Sequence, residues 1–175
     1  MRLAALTAAH YGGVVAVVLV TGMSGTGKSA ALAELARRGH RVVDTDYGAY
    51  SEEVPCSDAG GREQLWREDR IEALLDGCDD EVLFISGCVS NQGRFYPRFD
   101  AVVLLSAPAD VILERVASRE TNEFGKRDAE RDRILADLAK VEPLLRESAT
   151  VEIDTREPLD EVVDALERIG RRAPH

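Results

Sequence analysis

The segment GMSGTGKS, residues 22–29, constrains this chain more than any other feature in it. It fits the spacing GxxxxGK[ST], which works only between a strand and a helix. The glycines let the backbone curl round a phosphate and turn its N–H groups inward. The helix that follows brings its positive end to the same anion. Lys28 supplies a charge for the terminal phosphates of a nucleoside triphosphate, and the Ser29 hydroxyl is a hard oxygen ligand for Mg²⁺. The candidate nucleotide contacts are therefore Gly22, Ser24, Gly25, Thr26, Gly27, Lys28, Ser29 and Ala30, with ATP and Mg²⁺ as the expected cofactors.

What stands on either side agrees with that loop. Residues 14–20 (VVAVVLV) are a continuous apolar run, as expected of a central parallel strand buried on both faces. Residues 28–38 are rich in Ala and Leu and end before Gly39, a helix with its C-terminal stop. Arg2 and the apolar run imitate a signal peptide, but cleavage there would remove the strand that holds the loop. Residues 1–13 are accordingly expected to be an extension, and 14–175 a single domain. The chain has 175 residues, 45% of them hydrophobic, which suits one domain with an ordinary core.

The net charge of -10 argues against nucleic acid as a partner, because phosphate neutralisation would not favour binding. Cys56, Cys78 and Cys88 show no metal-binding spacing and read as reduced thiols of a cytoplasmic protein. No apolar run approaches the ~20 residues that span a membrane.

Further along, a helix is expected over 62–75, with Leu65, Ile71, Leu74 and Leu75 on one face and Trp66 either packing it or lining an acceptor pocket. Strands follow at 82–86 and 101–106, a helix from Pro108 to about Glu120, a helix over 128–141 stopped near Pro143, a strand over 150–154 and a helix over 158–169. Strands and helices alternate throughout, which implies an α/β fold: a parallel sheet covered on both faces. Ligands of such sheets bind beyond the C-terminal ends of the strands, where Gly22, Asp44, Gly87 and Asp154 stand.

Several groups near those ends can carry chemistry. Asp44 and Asp46 alternate, so an extended segment turns both to one side. One can hold magnesium through water while the other accepts a hydrogen bond from an acceptor hydroxyl; the alternative for Asp46 is a turn cap. The polar loop 87–93 offers Gly87, Ser90, Asn91 and Gln92, with Arg94 and Arg98 behind it, either as ligand contacts or as a plain connection. Arg115 and Arg119 share a helical face, and Arg119, Lys126 and Arg127 bracket ETNEFG. Such a segment can close over a triphosphate and neutralise the transferring group, or it can form surface ion pairs. The GTPase element NKxD is absent, and DAGG (58–61) lacks a preceding strand and reads as a polar loop.

Taken in order, GMSGTGKS, the DTD of 44–46, ADVILERVASR (109–119) and IDTREPLDEVV (153–163) resemble the small P-loop kinases of the nucleoside-monophosphate-kinase and shikimate-kinase type over residues 14–170. The resemblance implies a five-stranded parallel sheet of order 2-3-1-4-5 flanked by helices. It also implies an arginine-bearing lid (about 119–131) and an adenine pocket that includes Thr155 and Arg156. In this chain Ser86-Gly87 stands where adenylate-kinase-like members have Asp-Gly, which moves the metal shell onto Asp44; the triple glycine common in shikimate kinases is missing. The expected activity is ATP- and Mg-dependent phosphorylation of a small metabolite hydroxyl or a nucleoside monophosphate. The expected catalytic residues are Lys28, Asp44, Arg115, Arg119 and Arg127, and the acceptor contacts Asp46, Gly87, Ser90, Asn91, Gln92 and Arg94. The alternative is a nucleotide-dependent switch or regulatory ATPase without a small-molecule acceptor. Oligomeric state is left open.

Overall fold

The structure, a computed structural model, describes residues 16–56, 61–78, 81–118 and 127–172. The apolar run forms β1, Val17–Thr21, buried at every position; Val14 and Val15 lie outside the described residues. The glycine loop leads into α1, Lys28–Arg37, and then β2, Arg41–Asp44. A hairpin follows, β3 (Ser51–Pro55) and β4 (Arg62–Trp66), and then α2, Glu68–Asp76. Next come β5, Leu83–Ser86, a 3₁₀ helix, Gln92–Arg98, and β6, Ala101–Ser106. The remaining elements are α3 (Ala109–Ser118), α4 (Asp128–Ser148), β7 (Val151–Asp154) and α5 (Leu159–Arg172).

The main sheet runs β2-β5-β1-β6-β7 with every pairing parallel, which is the order 2-3-1-4-5 when its strands alone are numbered. Alternation along each strand divides the core into two layers. Val17, Leu19, Leu83, Ile85 and Val102 face Trp66, Ile71, Phe95 and Phe99 on one side. Val18, Val20, Phe84, Val103 and Leu105 face Leu32, Leu35, Val163 and Leu166 of α1 and α5 on the other. Helices can cover both faces because these strands offer apolar side chains in both directions.

Two expectations need correction. Residues 62–75 are not one helix. Arg62–Trp66 pairs antiparallel with Ser51–Pro55, and helix begins only at Glu68. REQL shows the period of two, with Arg62 and Gln64 exposed and Glu63 and Leu65 half-buried, and Trp66 breaks it by being buried on the Arg62 face. A strand thus does precede DAGG, but it belongs to a separate two-stranded hairpin, away from the parallel sheet; residues 58–60 lie outside the described residues. The second correction is at Pro143, which α4 passes through. Proline costs the helix one backbone hydrogen bond. Here it sits on an exposed face, while buried Leu145 and the pairing of Arg146 with Glu142 and Glu152 hold the last turn.

Candidate active site

The loop between β1 and α1 is built on glycines that no other residue replaces easily. Gly25 and Gly27 take φ of 88° and 95°, in the left-handed region. A Cβ on Gly22 would stand 2.3 Å from the Leu105 carbonyl oxygen of the neighbouring strand. The Thr26 hydroxyl donates to the Met23 carbonyl at 2.8 Å and closes the turn. Lys28 folds back across the loop, and its Nζ donates to the carbonyls of Gly22 (2.6 Å) and Met23 (3.2 Å). Gly27 has no side chain to cap α1, and no acidic residue occupies its first turn, so the positive helix end faces the loop.

Asp44 ends β2 beside that helix start. Ser29 Oγ donates to Asp44 Oδ2 at 3.5 Å, and the Asp46 amide donates to Asp44 Oδ1 at 3.1 Å. Asp46 is exposed, yet the protein around it depletes water near its carboxyl and raises that pKa above the ordinary value. Lys28 opposes this rise and the Asp44 charge adds to it. Across the ladder from Asp44 lies Ser86, whose hydroxyl is buried without a hydrogen-bond partner. Two hard oxygen donors at hydrogen-bond distance beside a phosphate-sized cradle are what a magnesium–triphosphate pair requires, so the residues fit those groups.

A recess of about 250 Å³ opens next to the loop, lined by Thr26, Gly27, Ala30, Arg115, Thr155 and Val162 among others. Arg115 forms part of its wall and donates to Thr155 Oγ1 (2.8 Å) and to the Thr155 carbonyl (2.5 Å). Thr155 in turn is tied to Ser106 O through its amide and hydroxyl. A larger hollow of about 500 Å³ lies along β7 and α5, with Glu152, Asp154, Glu157, Glu161 and Asp164 in its lining. Those carboxylates repel a nucleotide; of them the smaller recess shares only Glu157, and it adjoins the phosphate loop and Arg115, so it is the one that suits a nucleotide.

The other arginines expected here are differently placed. Arg156 is exposed and paired with Asp154. Arg127 precedes α4, where its amide donates to Glu130. Arg119 and Lys126 lie outside the described residues.

The loop after β5 is engaged with protein. Asn91 grips the main chain of Trp66: Trp66 N donates to Oδ1 and Asn91 Nδ2 donates to the Trp66 carbonyl, each at 2.9 Å. Gln92, buried, donates to Thr21 Oγ1 (3.2 Å) and the Tyr96 hydroxyl (2.9 Å) and accepts from Val89 N. Ser90 donates to Glu63, and Arg94 pairs with Glu68. Gly87 packs under Trp66. Reading the sequence missed Thr45 and the second role of Trp66. Trp66 Nε1 donates to Thr45 Oγ1 at 2.8 Å, and the apolar pattern around Trp66 announces burial but not a hydrogen-bond partner.

A family model described as an AAA domain matches residues 18–136, which include the glycine loop, Asp44, Trp66 and Arg115. The chain belongs to that family. Solved structures similar to this AAA domain include the shikimate kinase from Acinetobacter baumannii in complex with shikimate. It is 19% identical, with 89% of this chain and 92% of that one covered and a TM-score of 0.60. The shikimate kinase from Bacteroides thetaiotaomicron gives 20% identity, 88% and 97% coverage and a TM-score of 0.61. A gluconokinase from Sinorhizobium meliloti 1021 gives 21%, 92%, 95% and 0.57. These likenesses show the fold, that of the small P-loop kinases of the shikimate-kinase type. A comparison with curated proteins gives no match. No helix among the described residues is long and apolar enough to cross a membrane.

Proposed function

We propose that this AAA domain transfers the γ-phosphoryl group of ATP to a hydroxyl of a small metabolite. The observation that carries the reading is the meeting of Lys28, the glycine cradle and the Ser29–Asp44 oxygen pair at the C-terminal ends of the sheet strands. The similar proteins include a shikimate kinase solved with shikimate and a gluconokinase, which supports a small-molecule acceptor.

Loop amides and the start of α1 bind the β- and γ-phosphates. Lys28 exchanges its loop carbonyls for the terminal phosphate oxygens. Ser29 and Asp44 hold Mg²⁺, which when bound neutralises charge on the phosphates. The recess walled by Ala30, Arg115 and Thr155 receives the nucleoside. Asp46 accepts the proton of the acceptor hydroxyl as that oxygen bonds to the γ-phosphorus and the bond to the β-phosphate oxygen breaks, releasing ADP. Its raised pKa suits a base. Arg119, on a lid of about 119–131 that also includes Arg127, stabilises charge on the group in flight. Residues 14–175 act as one catalytic unit, and three cysteines outside any disulfide suit the cytoplasm.

A hydroxyl acceptor is favoured over a nucleoside monophosphate because arginines that could meet a phosphate already stand in ion pairs. Arg62 pairs with Glu53, Arg94 with Glu68 and Arg98 with Asp76. The deciding experiment is ATP turnover against a panel of polyols, hydroxy acids and nucleoside monophosphates, read by a mass gain of one phosphoryl group. Slow hydrolysis alone and strong acceleration by one hydroxyl compound, both lost in Lys28→Ala, is the expected result. A folded Lys28→Ala protein with unchanged ATP affinity and turnover overturns the reading.

A further inference from the structure

The β3–β4 hairpin ends on Trp66, whose indole reaches Thr45 just beyond β2. Trp66 is 1% exposed. Its indole Nε1 donates to Thr45 Oγ1 at 2.8 Å, and Thr45 Oγ1 donates onward to the Ser86 carbonyl at 2.7 Å. The Thr45 amide donates to that same carbonyl at 2.9 Å. A hydroxyl has one proton, so once it points to Ser86 its remaining lone pairs need a donor, and the indole N–H supplies it. The rotation of the Thr45 side chain is therefore fixed from both ends, and Thr45 sits between Asp44 and Asp46.

The support is itself supported. Asn91 holds the Trp66 backbone by two 2.9 Å hydrogen bonds, as a neighbouring strand would. Gly87 closes the joint: a Cβ there would come within 2.4 Å of Thr45 Oγ1 and 2.7 Å of Trp66 Cζ2. Apolar side chains at 45 and 66 could fill this space equally well. A fully satisfied polar chain adds direction, because it admits one arrangement of the segments it joins.

We propose that Trp66 and Thr45 are positioning residues for Asp44: the hairpin, through the indole–Thr45–Ser86 relay, holds the Asp44 carboxylate facing Ser29 Oγ at a separation that captures the divalent cation. The inference rests on the ATP–magnesium reading above.

The test measures ATP affinity by titration calorimetry, once with magnesium and once in EDTA. The proteins are the wild type, Trp66→Phe, Thr45→Val, Thr45→Ser, Asp44→Asn and the Trp66→Phe/Asp44→Asn double variant. Trp66→Phe keeps a ring without the N–H; Thr45→Val keeps the shape without the hydroxyl. Both should cut the magnesium-dependent gain in affinity by about tenfold or more, as loss of a group orienting a metal ligand does. Affinity for metal-free ATP should stay close to wild type. Thr45→Ser should retain the gain, and in the Asp44→Asn background Trp66→Phe should remove nothing further. A full magnesium gain in both Trp66→Phe and Thr45→Val overturns the inference and leaves the nucleotide reading standing. Additive losses in the double variant also overturn it, because the relay would then act as general packing. A wild type that binds ATP equally with and without magnesium overturns it as well. A wild type that binds no ATP in either condition refutes the underlying reading. If Trp66→Phe does not fold, Thr45→Val, which loses only a hydroxyl, decides.

Discussion

Asp44 and Asp46 stand two positions apart and work in different environments. Asp44 accepts from Ser29 and from the Asp46 amide. Asp46 is raised above the ordinary carboxylate value, chiefly because water is depleted around it. A carboxyl raised on folding contributes its stability in full below its unfolded value near 3.9 and loses it as pH rises through the folded value. Asp46→Asn should therefore melt higher than wild type at pH 7 and level with it at acidic pH, by calorimetry, while phosphoryl transfer falls. A melting difference that does not change with pH would refute this assignment. For Asp44→Asn, kcat should drop by about 10²-fold or more. If Arg119 meets charge that develops only during transfer, Arg119→Ala should lower kcat far more than it raises the KM for ATP. The phosphate loop could be read from sequence because its chemistry is local, eight consecutive residues folding on themselves. Thr45 could not, since its partners Trp66 and Ser86 are 21 and 41 residues away and nothing near Thr45 signals them.

The elements were legible where one requirement set their pattern. VVLVT, LFIS and AVVLLS are buried on both faces and contain no conflicting period, so the strands and their parallel sheet followed from the alternation with helices, while the strand order came from the family resemblance. REQLW satisfies two patterns at once. Its apolar residues run on into Ile71 and Leu74, yet the segment alternates too, and pairing with Ser51–Pro55 makes it a strand. Helices α1 and α5 are joined by a charge clasp that neither helix forecasts alone: Arg38 meets Glu34, Asp160, Asp164 and Glu167. Hydrogen bonds from Arg37 and Arg38 hold the Glu34 carboxyl down to about 2. The Glu34 part of the clasp is thus complete above the ordinary glutamate range and is lost as pH falls towards 2. Arg38→Ala should lower the melting temperature at neutral pH, with a smaller loss in 1 M NaCl, about the concentration at which screening reaches a few ångströms. Equal losses at low and high salt would assign Arg38 to packing through its stem.

At the scale of the whole molecule, a chain of net charge -10 gathers its nucleotide-facing groups at one end of one sheet. Binding there should stabilise the entire domain by mass action. MgATP at roughly a hundred times its Kd should add about 2.7 kcal/mol, a melting shift of several degrees, and Lys28→Ala should abolish the shift. A large shift retained by Lys28→Ala would move the nucleotide elsewhere on the protein.

Trp66 is the chain's one tryptophan, and its N–H is spent on the residue between the two aspartates. Indole emission responds to the loss of a hydrogen bond and to nearby charge. The protein thus carries its own fluorophore beside the proposed magnesium ligands, unlabelled and free of background from any second indole. Rapid mixing with ATP and with magnesium, in either order, can be followed through it, and the order in which the two arrive read directly from the change in light.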